Sequence, residues 1–125
     1  MPLAENGNAI AQYFLGSMHL SPIDQTIEID KEKGLMFLKN AAKNNHIPAL
    51  EYLGNIFAYS DLVELNPQKS HTYFYLVALK QNSADIGYHQ IIEDEFKLSQ
   101  AEILESIERA LECMKKSFDN CYLFN

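Results

Sequence analysis

The sequence predicts an all-α fold, an α-α superhelix (solenoid) of two helical hairpins closed by a C-terminal pair of capping helices. Three observations carry this reading. Two Val and two Thr stand against 26 Leu plus Ile, beside ample Glu, Lys, Ala and Gln, a composition that favours helices over strands. Apolar residues recur every three or four positions, the spacing of one helix face. The third observation is an internal repeat. Ala11-Gln12-Tyr13-Phe14-Leu15-Gly16 returns as Ala49-Leu50-Glu51-Tyr52-Leu53-Gly54, and Asp30 to Ala42 returns as Asn66 to Ala78. Leu, Ile, Val and Phe supply 35 of the 125 residues, enough apolar surface for one core of ordinary size. The expectation is therefore a single domain over residues 1–125.

The elements follow in order. Residues 7–44 form the first expected hairpin. Its first helix carries the stripe Ala11, Leu15 and Met18. Its second opens at Asp30, a good N-cap, and carries Gly34, Phe37, Leu38 and Ala41. Residues 46–82 form the second hairpin, with stripes Ala49, Leu53, Phe57 and then Ser70, Tyr73, Phe74, Val77. There Asn66 caps, and Pro67 occupies the first helical position, where a missing N–H costs nothing. Small residues such as Ala11, Gly16 and Ala42 let paired helices approach closely. Two hairpins leave outer faces uncovered, so residues 83–118 are expected to cap the stack. Ser83 to Asp94 reads as a short helix and Lys97-Leu98 as a break. Ser99-Gln100-Ala101-Glu102 is a capping-box pattern opening a helix with Ile103, Ile107, Ala110, Leu111 and Met114 inward. Glu102, Glu105, Glu108 and Glu112 lie on another face, towards solvent. Residues 119–125 read as a tail.

The pattern Ala11-x-x-x-Leu15-Gly16, a loop, Asp30-x-x-Lys33-Gly34-x-x-Phe37 and Ala41-Ala42, with its recurrence, resembles the Sel1-like repeat, a relative of the tetratricopeptide helix hairpin. The resemblance covers about residues 7–82. The stretch from Ser83 to Glu102 is similar to the terminal segment of such arrays. The sequence departs from the family where Gly34 and Ser70 replace the usual Ala, and where Phe37 and Tyr73 stand in place of Trp. Loop glycines are missing between Leu20 and Ile29 and between Ser60 and Leu65. The resemblance implies an α-solenoid that serves as a protein-interaction scaffold. It also implies a comparison for Cys113 and Cys121, since some secreted members link their hairpins by disulfides. With one such pair and no export signal, two reduced thiols are the expectation here.

The formal net charge of -7 argues against nucleic acid, since neutralising phosphates needs a basic face. No Lys or Arg precedes Lys31, and the longest apolar run, Tyr73 to Leu79, is far too short to span a bilayer. A cytoplasmic location without membrane contact is expected. His19, His46, His71 and His89 are never three or four residues apart, so no zinc-binding pair shares a helix face. Each is read as a surface or packing residue, His19 as a core one. Gly-x-Ser-x-Gly, phosphate-cradling and dinucleotide-binding glycine patterns are all missing, and Glu93-Asp94-Glu95 reads as a solvated charge run. No catalytic residue, metal or cofactor is assigned, and enzymatic activity is not expected.

The remaining signal is aromatic. Tyr13, Tyr52, Tyr59, Tyr75 and Tyr88 fall beside the core positions of the repeat, and exposed tyrosine is favoured in protein interfaces. In stacked hairpins the first helix of each unit lines the hollow. The expected partner-binding groove is therefore Gln12, Tyr13, Ser17, Glu51, Tyr52, Asn55, Tyr59 and Tyr88. The expected function is that of a non-enzymatic protein-protein interaction module, most concretely a small cytosolic bacterial inhibitor, immunity-type or adaptor protein. Its acidity would suit a basic toxin such as a nuclease. Two alternatives stand beside it. One is a Sel1-like hydrolase acting on β-lactams, which lacks a Ser-x-x-Lys nucleophile. The other is a self-associating structural repeat, disfavoured at the last helix by its charged stripe.

Overall fold

A computed structural model describes residues 8–20, 29–81, 87–116, 118, 121 and 123. Among the described residues six α-helices follow one another: α1 (Ala9–Leu20), α2 (Lys31–Lys43), α3 (Ile47–Tyr59), α4 (Pro67–Gln81), α5 (Tyr88–Glu95) and α6 (Gln100–Lys115). No strand occurs among the described residues. The loop over 21–28, the first residues of the helix expected at 83–94, and tail positions 119, 120, 122, 124 and 125 lie outside them. The chain divides into two compact units, Met1–Leu50 and Glu51–Asn125. The division falls inside α3, whereas the repeat boundary read from sequence lies at 44–46.

In the first unit α1 and α2 pack through glycine. A methyl group on Gly16 would come within 2.9 Å of the Gly34 carbonyl oxygen, and one on Gly34 within 2.6 Å of Leu20 Cγ. Phe37 and Ala11 form the buried contact beside this crossing, with Leu15 against them. The Asn8 side chain accepts from the Ala11 amide at 2.9 Å and starts α1. Asp30 accepts from the Lys33 amide at 3.1 Å and starts α2, as an N-cap should. His19 stacks on Phe37 with centroids 6.1 Å apart, which gives it the packing role expected.

The second unit repeats the close approach with different chemistry. Gly54 on α3 lies against the Phe74 ring, where a methyl group would fall 2.8 Å from two ring carbons. Ser70, in the position matching Gly34, donates from its hydroxyl to the Gly54 carbonyl at 2.7 Å. Leu53 and Tyr73 are fully buried, and Tyr73 stacks on Phe57 with centroids 5.8 Å apart. The Asn66 side chain caps α4 through the Lys69 amide at 3.0 Å. A second core cluster joins Ala58, Phe74 and Ile92, which seats α5. The break after α5 turns at Lys97 with φ of 50°, and α6 opens with the full capping box of Ser99 and Glu102.

Two sequence expectations need correction in this unit. The inward face of α6 is Ser106, Ala110 and Cys113, whereas Leu111 and Met114 are exposed and Ile103 and Ile107 half-buried. The reason is a close crossing with α4, where the Ser106 hydroxyl reaches the Gln68 carbonyl at 3.2 Å and larger side chains would not fit. Cys113 and Cys121 are joined as a disulfide, with Cα atoms 5.0 Å apart, instead of standing as two thiols. Phe118, at a φ of 68°, turns the chain back so that the two sulfurs meet, and its amide donates to the Cys113 carbonyl at 2.8 Å. Two positions of the tail, whose docking the sequence leaves open, are described. Cys121 and Leu123 are buried, and the Tyr73 hydroxyl donates to the Leu123 carbonyl at 2.9 Å.

Candidate functional site

The residues expected to line a groove fall in both units. In the first unit Gln12 is 5% exposed, which corrects its reading as a contact residue. Its side-chain oxygen accepts from the Asn44 side-chain amide at 3.1 Å, so burial of the amide is compensated. Tyr13 is half-buried, with His46 at 5.0 Å and Phe14 at 5.7 Å between ring centroids. Ser17, half-buried, bonds back to the Tyr13 carbonyl at 2.9 Å. Phe14 and Ile10, unremarked in the sequence, are the exposed apolar residues of α1.

In the second unit Glu51 and Tyr52 are half-buried and Asn55 is exposed. Tyr59 is 52% exposed at the C-terminal end of α3. Its hydroxyl donates to Glu95 Oε2 at 2.5 Å, and its ring lies 6.0 Å from that of Phe96. The carboxylate bond, helped by partial desolvation and by the negative charge of Glu95, pushes the Tyr59 phenol up to about 12. Tyr88 is 58% exposed and tilts against Phe74 with centroids 5.4 Å apart. Two exposed rings are thus each fixed by a neighbour from within the same unit.

Beneath α5 sits a titratable cluster. His71 is fully buried, and its Nε2 hydrogen-bonds Glu93 Oε2 at 2.8 Å. Tyr75 stacks on the His71 ring at 6.2 Å, and His89 meets it edge-on at 5.9 Å. Burial, then the neighbouring His71, lower the His89 pKa, and Glu93 opposes them. The solvated-run reading of Glu93-Asp94-Glu95 holds for Asp94 and Glu95, which are exposed, with Glu95 accepting from Tyr59, and is corrected at Glu93, which is half-buried and bonds His71. The cluster clamps α5 onto α4. A carboxylate-imidazole pair of this kind can orient a proton. No group of three or more His, Cys, Asp or Glu among those residues is arranged to hold a metal ion. No described helix is long and apolar enough to cross a membrane.

Sequence reasoning expected exposed tyrosines beside the repeat core, and Tyr59 and Tyr88 are exposed. It missed Glu95, Phe96 and Phe74 as their supports, because those contacts join separate helices and leave no periodic trace. No protein-family model, no curated protein and no solved structure matches this chain.

Proposed function

We propose that this chain is a non-enzymatic protein-protein interaction module, an inhibitor, immunity-type or adaptor protein. The observation that carries the reading is the pair of exposed tyrosines, Tyr59 and Tyr88, each held in place by its own hydrogen bond or ring contact. Aromatic side chains immobilised before binding lose little freedom on contact, so their large surfaces convert efficiently into affinity. With a net charge of -7, a partner with a basic face is favoured by long-range attraction. The recurrence of one close helix approach, Gly16 with Gly34 and Gly54 with Ser70, supports tandem Sel1-like hairpins as the scaffold. Superhelical stacking of those hairpins belongs to the same proposal.

The test is affinity capture on the immobilised chain at physiological salt, run in parallel with Tyr59→Ala and Tyr88→Ala. The expected outcome is a retained protein whose binding weakens by ~2 kcal/mol in either variant, with circular dichroism unchanged. Equal retention by all three chains, or turnover of a β-lactam panel by the parent, overturns the proposal. On location, the Cys113–Cys121 disulfide favours an oxidising compartment over the cytoplasm first expected, since cytosolic thiols are kept reduced.

A further inference from the structure

We propose that the outward apolar face of α6 is a self-association surface, at which two copies of this chain pack antiparallel about a two-fold axis. The helix buries Ser106, Ala110 and Cys113 against its own unit. Beside that stripe runs a second one. Leu104 is 59%, Leu111 49% and Met114 37% exposed, and half-buried Ile107 lies between them. These four positions are spaced by three, four and three residues, the alternation with which one helix seats its side chains in the gaps of another.

Charge selects the occupant and its direction. Glu102 and Glu105 stand in the first half of α6, Glu108 just past its middle with Arg109 and Glu112 beyond it, and Lys115 ends the helix with Lys116 as its C-cap. A second copy laid parallel would set like charges and like helix dipoles side by side; an antiparallel copy sets unlike ones together. Within the helix, Glu105 pairs with Arg109 and Glu112 with Lys116. Glu108 and Lys115 border the apolar stripe and have no ion-pair partner among the described residues. In the two-fold arrangement Leu104 faces Met114 of the second copy, and Ile107 faces Leu111. Glu108 then lies about 7.5 Å along the axis from Lys115 of the second copy, a five-residue offset that flanking side chains of paired helices ordinarily bridge. The two-fold axis makes every such contact twice. A uniformly basic or acidic partner would complement only half of this surface. The charged stripe that argued against self-association in the sequence lies beside the apolar one, where it sets the orientation.

The test is sedimentation velocity on the full chain over a wide concentration range. The expected result is a mass rising with concentration toward twice 14.3 kDa. Leu111→Glu is expected to raise the dimer Kd about 100-fold or more. Its helical content should be unchanged, because the position is exposed. Glu108→Lys alone is expected to raise Kd about 5- to 10-fold, and Glu108→Lys with Lys115→Glu to restore it. A chain that stays monomeric throughout overturns the proposal. So does a dimer indifferent to Leu111→Glu, or a double exchange that fails to rescue.

Discussion

Replacing Gly16 by Ala tests the packing of the first hairpin most directly. The added carbon would sit 2.9 Å from the Gly34 carbonyl oxygen, 3.0 Å from Leu38 Cγ and 3.1 Å from the Leu38 amide nitrogen. Comfortable contact begins near ~3.5 Å, so the neighbours must retreat by about 0.5 Å. Two of the three atoms are α2 backbone, and a helix cannot yield one atom at a time. Overpacking of this kind costs about 1–3 kcal/mol. The better helix propensity of Ala returns about 1 kcal/mol, because α1 is helical at this position and glycine contributes no special backbone angle. The net expectation is a loss of about 0–2 kcal/mol, centred near 1, and a fall in Tm on the order of 4 °C. Gly54→Ala provides the comparison. It meets the rim of the Phe74 ring, which can pivot, so the loss there should be smaller. Thermal melts followed by circular dichroism read both. A Gly16→Ala protein more stable than the parent by the full helix-propensity gain of about 1 kcal/mol would show that α1 and α2 are not in the contact described.

Leu53→Ala empties a fully buried site and should cost ~2–5 kcal/mol in a denaturant titration. Reducing the disulfide, or replacing both Cys113 and Cys121 by Ser, should cost about 2.5 kcal/mol by loop-closure entropy for a sequence separation of 8. Two titratable thiols in protein purified without reductant would contradict the bond. The Tyr59 phenol is held up to about 12 by Glu95, so its stabilising bond is fully present below the unfolded value near ~10 and is lost as pH rises through about 12. Ultraviolet titration of the tyrosines should show one late transition, and Glu95→Gln should bring it back toward the others.

Local signals were legible in the sequence because each depends on neighbours along the chain. Asp30 and Asn66 cap, Ser99 and Glu102 form their box, and the stripes Ala49-Leu53-Phe57 and Ser70-Tyr73-Phe74-Val77 are buried. What escaped were pairings between distant residues. Gln12 reads as a surface residue until Asn44 arrives beside it, and His71 looks solitary until α5 brings Glu93. On α6 the sequence places the larger residues Ile103, Ile107, Leu111 and Met114 on one side with Ala110 and reads that side as inward. The close crossing with α4 selects size instead, and the spacing of Ser106, Ala110 and Cys113 was the signal that marked it. The exposed tyrosines of the candidate surface were visible as residues out of register, but their supports were not.

The bond between Tyr73 and Leu123 spans 50 residues of chain, and that separation orders events during synthesis. At a ribosomal pace of about 5–20 residues per second, the hydroxyl leaves the tunnel roughly 2.5–10 s before the carbonyl that accepts its proton. Throughout that interval the Tyr73 hydroxyl is without the Leu123 carbonyl that it bonds in the finished fold.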